Sequence, residues 1–381
     1  MVVYSLFFLF IAHFIFNLEK YILLNEIFVL FGIFFLILNI KNYMKFKQDK
    51  VVFIVLFLLC YGFFYSFYSF FFLRDGNVYQ FARTLVFWYS IFGFFVGIQF
   101  FRKVIEPNKD RFLHKYSFLI GLFDVFLGGI LSNFSLIPIL FYTRSRYLLW
   151  IFVFIVLMAI YKGGSTSFLI LLSLLIFIFS KNKLFLLNVV FNKWIIFILL
   201  TFGFYILHYM YVEYNHFFNI GYVAFGDDVD NNMIWRLMYW SYEFSENIIN
   251  HPIFGIGFGT PLFDINREDL SFIIHNRPED SVDLPYIHGT HNSFLYVLIR
   301  MGLVGFIPLL SIYFIIFYRV KKYKLFNDNL VVSLLLSFIF ISVAALFNVV
   351  LESGLYAGSY WIIVGMLYKS IEYKKYLDTR N

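Results

Sequence analysis

Uninterrupted apolar runs follow one another along most of this 381-residue chain, separated by short polar stretches rich in Lys and Arg. Residues 2–18, 21–40, 51–73, 84–101, 147–161, 168–180, 194–211, 291–318, 330–350 and 355–371 each read as one such run. A helix rises about 1.5 Å per residue, so roughly twenty apolar residues cross the hydrocarbon core of a bilayer. The runs are continuous rather than alternating, which predicts helices and argues against the period-two pattern of a membrane barrel. The expected fold is all-α, a polytopic helical membrane protein.

Orientation follows from positive charge, because cytoplasmic loops keep their Lys and Arg. Lys41, Lys45, Lys47 and Lys50 mark one inner loop, and Arg102, Lys103, Lys109, Arg111 and Lys115 a second. Arg319, Lys321, Lys322 and Lys324 mark another, and Lys369, Lys374 and Lys375 make the C-terminus basic. Residues 115–144 hold enough chain for one tilted helix or two short ones; parity with the basic C-terminus requires two, bent near Gly128-Gly129 and Ser132-Asn133. The sum is about twelve spans with both termini cytoplasmic. The first run has no preceding Lys or Arg and no small-residue cleavage pattern, so it is expected as a retained span rather than a signal peptide. The organisation expected is a helical bundle over 1–211, a large outer loop over 212–290 and C-terminal spans over 291–381, with the motif region at 231–305.

Composition agrees: 61% of residues are hydrophobic and 14% charged, with a mean hydropathy of +0.80, far more apolar than a soluble domain. The net charge of +7 would suit nucleic acid, but the cations sit in short loops between spans, so no nucleic-acid partner is expected. The lone Cys60 lies in an apolar run, which excludes a disulfide framework. The abundance of Phe and Tyr, like that of Lys, Asn and Ile, follows AT-rich codons and carries no mechanistic weight.

Candidate chemistry gathers in and around the outer loop, whose roughly eighty residues exceed an ordinary connection. It holds about half of the chain's acids, no lysine, and the arginines Arg236, Arg267 and Arg277. Arginine offers a fork matched to phosphate oxygens, so each is a candidate for anion binding; the alternative is pairing with neighbouring acids. Residues 231–250 read as an amphipathic helix capped by Asn232, with Arg236, Trp240 and Glu243 on one face. His251-Pro252 ends it, and Gly255, Gly257 and Gly259 follow. Alternating glycines let backbone N–H groups approach an anion, although a simple tight turn explains them equally well. His291, followed by Asn292, stands where the loop re-enters the membrane. Its imidazole suits proton abstraction from a hydroxyl near neutral pH, or merely starts a helix. Asp227, Asp228 and Asp230 read as a solvated turn rather than a metal site, and no histidine spacing fits zinc. Arg300 lies within a span near mid-depth and is expected to be structurally paired. Glu352 falls in a short outer turn, and Arg74, Arg83 and Lys162 are further outer-side cations; converging, they would suit a pyrophosphate.

Three strings in order, Trp235-Arg236-Leu237-Met238-Tyr239-Trp240, then His251-Pro252-Ile253-Phe254-Gly255-Ile256-Gly257-Phe258-Gly259, then His291-Asn292-Ser293-Phe294-Leu295 leading to Gly302 and Gly305, resemble the O-antigen polymerase and O-antigen ligase superfamily. The resemblance implies a membrane glycosyltransferase that moves a glycan from undecaprenyl pyrophosphate to a sugar hydroxyl. It implies a periplasmic active face on the bacterial inner membrane, and no nucleotide-sugar donor, cofactor or metal. Arg236 would bind the pyrophosphate and His291 would orient or deprotonate the acceptor. The partners implied are a lipid-linked oligosaccharide as donor and acceptor, membrane lipid, and room for a chain-length regulator. The chain departs from the family in having Arg300 where an acidic residue is common, and Lys162 with Ser165 to Ser167 in place of a Ser-Arg pair. A polymerase is the first expectation and a ligase that uses lipid A-core as acceptor the second. A lipid-linked oligosaccharide flippase predicts instead a charged central pathway and little need of a folded acidic loop.

Overall fold

The computed structural model describes residues 24–45, 49–106, 193–212, 231–263, 291–353 and 356–378. The first apolar run, the crossings between 115 and 144, the runs at 147–161 and 168–180, Lys162, Arg267, Arg277 and the acids Asp227, Asp228 and Asp230 lie outside the described residues. The described residues are helical, with no strand among them. In order, α1 is Leu24–Lys45, α2 is Lys50–Tyr68 continued by a π turn at Ser69–Leu73, α3 is Val78–Thr84, α4 is Val86–Ser90 and α5 is Gly93–Phe100 continued by a π turn at Phe101–Ile105. Then come α6 at Lys193–Val212, α7 at Asn231–Tyr242 with a π segment at Glu243–Ile248, α8 at Ser293–Lys322, α9 at Asn329–Phe347 and α10 at Tyr356–Asp378. Among these, Lys50–Leu73, Ser293–Lys322 and Leu330–Phe347 are long and apolar enough to cross a membrane. The chain is an integral membrane protein.

Two expected boundaries move for identifiable reasons. The connection at 74–83 contains α3, because Asn77 and Gln80 form a reciprocal capping box in which each side chain accepts from the other's backbone N–H, at 2.9 and 2.7 Å. The span at 84–101 is not one straight helix, since Val78–Thr84 and Val86–Lys103 meet at a bend of 49°. α5 and α10 then pack backbone to backbone: a Cβ on Gly97 would sit 2.1 Å from the Ile362 carbonyl oxygen, and one on Gly365 2.1 Å from that of Phe94. Small residues allow such approach where lipid offers no hydrophobic driving force between helices.

One end of the bundle is fastened by ion pairs. Asp49 caps α2 and pairs with Arg319 at 2.9 Å, Arg319 reaches Glu372 at 3.1 Å, and Lys374 meets Asp328 at 2.5 Å. α2 therefore starts, and α8 and α10 finish, at this end.

α8 does not run straight to the other end. At Gly302 the backbone turns to φ 58° and ψ −163°, conformations that glycine alone adopts readily. Such a break frees polar backbone groups at membrane depth, where each must find a partner. Residues 251–257 supply them: Ile256 and Gly257 N–H donate to the Ile299 and Arg300 carbonyls at 2.8 and 3.2 Å, while Leu303 and Val304 N–H donate to the Pro252 and Ile253 carbonyls at 2.9 and 3.1 Å. Tyr61 Oη, from α2, donates to the Met301 carbonyl at 3.2 Å, and Tyr65 Oη to the Gly255 carbonyl at 2.9 Å. The glycine-rich stretch is thus a splint on a broken membrane helix. Ile256, Phe258, Leu262 and Phe263 join the same hydrophobic core as α2, α8, α9 and α10. Counting about 1.5 Å per residue back from Arg319, the break and Arg300 lie toward the far edge of a ~30 Å core rather than at mid-depth.

Candidate functional site

The turn between α9 and α10 gathers the motif residues. Arg236, on α7, donates from Nη1 to the Phe347 carbonyl at 3.0 Å. Ser293, the first residue of α8, donates from Oγ to the next carbonyl, Asn348, at 3.1 Å. Ser293 Oγ also accepts from the Val350 and Leu351 N–H groups at 2.8 and 3.0 Å, and its one proton is shared between the Asn348 carbonyl and the Glu352 carboxylate. Two segments far apart in sequence are therefore anchored on consecutive carbonyls of one turn. His291 sits two residues before Ser293, half-buried, with φ 51°. Positive φ is uncommon outside glycine, although His is among the residues enriched there, and such conformations cluster at functional sites. Asn292 caps α8, its Oδ1 accepting from Leu295 N–H at 3.0 Å. The expected helix start is thus present, with the capping done by Asn292 and His291 held just outside.

Glu352 is buried in this turn, and burial pushes its carboxyl up to about 7 against the opposing hydrogen bond from Ser293. A second buried carboxyl, Glu243, stands on the π segment two turns beyond Arg236, as their shared helical face requires. Asn247 Nδ2 donates to it at 2.6 Å and also to the Leu262 carbonyl at 2.9 Å, and burial raises it to about 7 as well. Near it the fully buried Arg300 donates to the Gly257 and Thr260 carbonyls at 3.1 and 2.5 Å. Arg300 thus serves the fold, locking the glycine turn to the broken helix.

Gly255 and Gly257, candidates for lining an anion, lie under the site with their N–H groups turned to protein carbonyls, that of His251 at 3.0 Å and that of Arg300 at 3.2 Å. Phe258 N–H goes to Ser69 Oγ at 3.2 Å and Gly259 N–H to Thr84 Oγ1 at 2.9 Å. Their positive φ values of 76° and 86° serve close approach: a Cβ on Gly255 would fall 2.3 Å from the Ile299 oxygen. Arg74 lies beside the same turn, its Cγ 3.0 Å from where a Cβ on Gly259 would stand, and Arg83 precedes Thr84 in the chain. Asn232, expected as a cap, lies inside α7, which begins one residue earlier. Sequence reasoning passed over Ser293 and Tyr296. Ser293 lies inside the His-Asn-Ser string, but its function depends on a turn some sixty residues away, which no local pattern signals.

Residues 147–310 match the family model described as O-antigen ligase. The stretch contains Arg236, the glycine turn, His291 and the break at Gly302, and the match bears out the resemblance to the O-antigen ligase and polymerase superfamily. Among curated proteins none matches. The activity supported is of the O-antigen ligase or polymerase type, a glycosyltransferase-like membrane enzyme acting on lipid-linked glycans.

Proposed function

We propose that this protein is a surface-polysaccharide polymerase of the periplasmic face of the bacterial inner membrane. In the reaction, the hydroxyl oxygen of one lipid-linked repeat unit attacks the anomeric carbon of another glycan. The bond from that carbon to undecaprenyl pyrophosphate breaks, and the leaving pyrophosphate takes the electron pair. His291 receives the hydroxyl proton, and Arg236 offsets the charge that grows on the pyrophosphate. The observation that carries this reading is the anchoring of Arg236 and of the helix start beside His291 on the adjacent Phe347 and Asn348 carbonyls. A guanidinium fork suits the anion, and an imidazole suits the proton. Glu352, bonded to Ser293, supports the helix start that carries the imidazole.

The ligase reading is favoured by one specific observation, the description of the matching family model. The two differ only in acceptor, and a strain lacking the gene separates them. Short lipopolysaccharide bearing single repeats indicates the polymerase, whereas unattached lipid-linked polymer indicates the ligase. In the complemented strain, Arg236→Ala and His291→Ala each abolish the chain-length ladder with membrane expression intact. Wild-type ladders from both variants would sink the site assignment.

A further inference from the structure

The turn that follows α7 carries Ile249, Ile253 and Phe254, which are 47%, 55% and 56% exposed. Scattered apolar residues on a surface need no account, but a group of large ones close together marks a contact face. This group adjoins another. Leu303 and Ile307, also exposed, stand one helical turn apart on α8, a helix long and apolar enough to cross a membrane. The N–H groups of Leu303 and Val304 donate to the Pro252 and Ile253 carbonyls at 2.9 and 3.1 Å, which seats the turn against that stretch of α8.

Two helices fix its depth. Tyr65, whose hydroxyl donates to the Gly255 carbonyl at 2.9 Å, stands fifteen residues after Lys50 on α2, and Val304 stands fifteen residues before Arg319 on α8. At about 1.5 Å per residue, each count puts the turn roughly 22 Å from the fastened end, inside a core ~30 Å thick. Tilt of either helix draws it further in. The chemistry of the turn suits that depth. No Lys, Arg, Asp or Glu occurs between Glu246 and Asp264, and His251 is the one titratable side chain there. The carbonyls of His251, Pro252, Ile253 and Gly255 all accept hydrogen bonds from within the protein, and Pro252 has no N–H to satisfy. Without water, backbone that leaves the helix needs such internal partners.

We infer that residues 249–254 form a re-entrant wedge whose partner is the hydrocarbon of the bilayer, with Ile253 and Phe254 against lipid acyl chains. By apolar run length the segment belongs to the water-exposed outer loop; seated on the break in α8, it lies below the far surface of the membrane. The wedge is independent of the roles given to Arg236 and His291 and of the choice between polymerase and ligase.

The test is spin-label accessibility in the full-length protein, in a Cys60→Ala background and phosphatidylcholine nanodiscs. Ile253→Cys and Phe254→Cys are each labelled with a nitroxide and read by power saturation against oxygen, which enters hydrocarbon, and a nickel chelate, which stays in water. Leu303→Cys and Ile307→Cys give the lipid reference, and Asp75→Cys the water reference. The oxygen-to-nickel ratio at positions 253 and 254 is expected to match that at 303 and to exceed that at 75 by at least about threefold, because an apolar medium excludes the polar chelate. A ratio equal to that at 75 puts the turn in water and overturns the inference. Low access to both reagents, with dipolar broadening between labels, assigns the patch to a second copy of the chain and overturns it as well. Wild type, which carries no label, gives an independent reading: a phospholipid with a diazirine in its acyl chain is expected to modify the peptide holding residues 249–254. Modification of α8 without modification of that peptide sinks the wedge.

Discussion

Glu243 and Glu352 are the residues at which burial changes chemistry most plainly. Each carboxyl is raised from 4.5 to about 7, with burial the leading cause. Between about 4.5 and about 7 the folded protein therefore holds protons that the unfolded chain has released. The sign follows: stability is fullest below the unfolded value and falls as pH rises through the window. Thermal unfolding in detergent is expected to show this downward slope, and Glu243→Gln/Glu352→Gln to flatten it while keeping acceptors for Asn247 and Ser293. A wild-type profile that rises across the window would refute it. At this scale the sequence showed residue types and a shared helical face for Arg236 and Glu243, and it could place Glu352 in a turn. It could not show that Ser293 joins Glu352 to the Asn348 carbonyl, because hydroxyl contacts across some sixty residues leave no periodic trace.

The element that matters most is the pair formed by the glycine turn and the break in α8. Read alone, Gly255, Gly257 and Gly259 suit an anion cradle or a tight turn, and Gly302 suits nothing in particular. Together they form one joint, whose backbone donors and acceptors complete each other where water is absent. A Cβ on Gly302 would lie 2.2 Å from the Ile253 oxygen at φ 58°, and one on Gly255 2.3 Å from the Ile299 oxygen at φ 76°. Gly302→Ala and Gly255→Ala are each expected to cost roughly 3 kcal/mol or more, read as a lowered melting temperature and poor membrane yield. Gly203, on α6, has nothing within 4 Å of its missing Cβ, so Gly203→Ala serves as a control with little loss. Equal behaviour of the three variants would remove the splint argument. The bend after α3 was likewise hidden, since an apolar composition is shared by straight and broken helices alike.

For the whole molecule, the ion pairs of Arg319 and Lys374 define one end and the Arg236, His291 and Glu352 region the other. In a Cys60→Ala background, Asp75→Cys is expected to react with a membrane-impermeant maleimide in cells with a permeabilised outer membrane, and Lys324→Cys only after lysis. The reverse pattern would put the proposed active face on the wrong side. The sequence by itself determined that this chain lives in a membrane as helices, roughly where α2, α8 and α9 cross, and which strings carry the family likeness, because apolar run length and local motif order are properties of adjacent residues. Only the tertiary structure decided that the glycine turn splints a broken helix, that Arg300 serves that joint, and that the segments bearing Arg236 and His291 are fastened to one turn. Those facts are hydrogen bonds between backbones remote along the chain, and the bilayer enforces them by leaving no water to take their place.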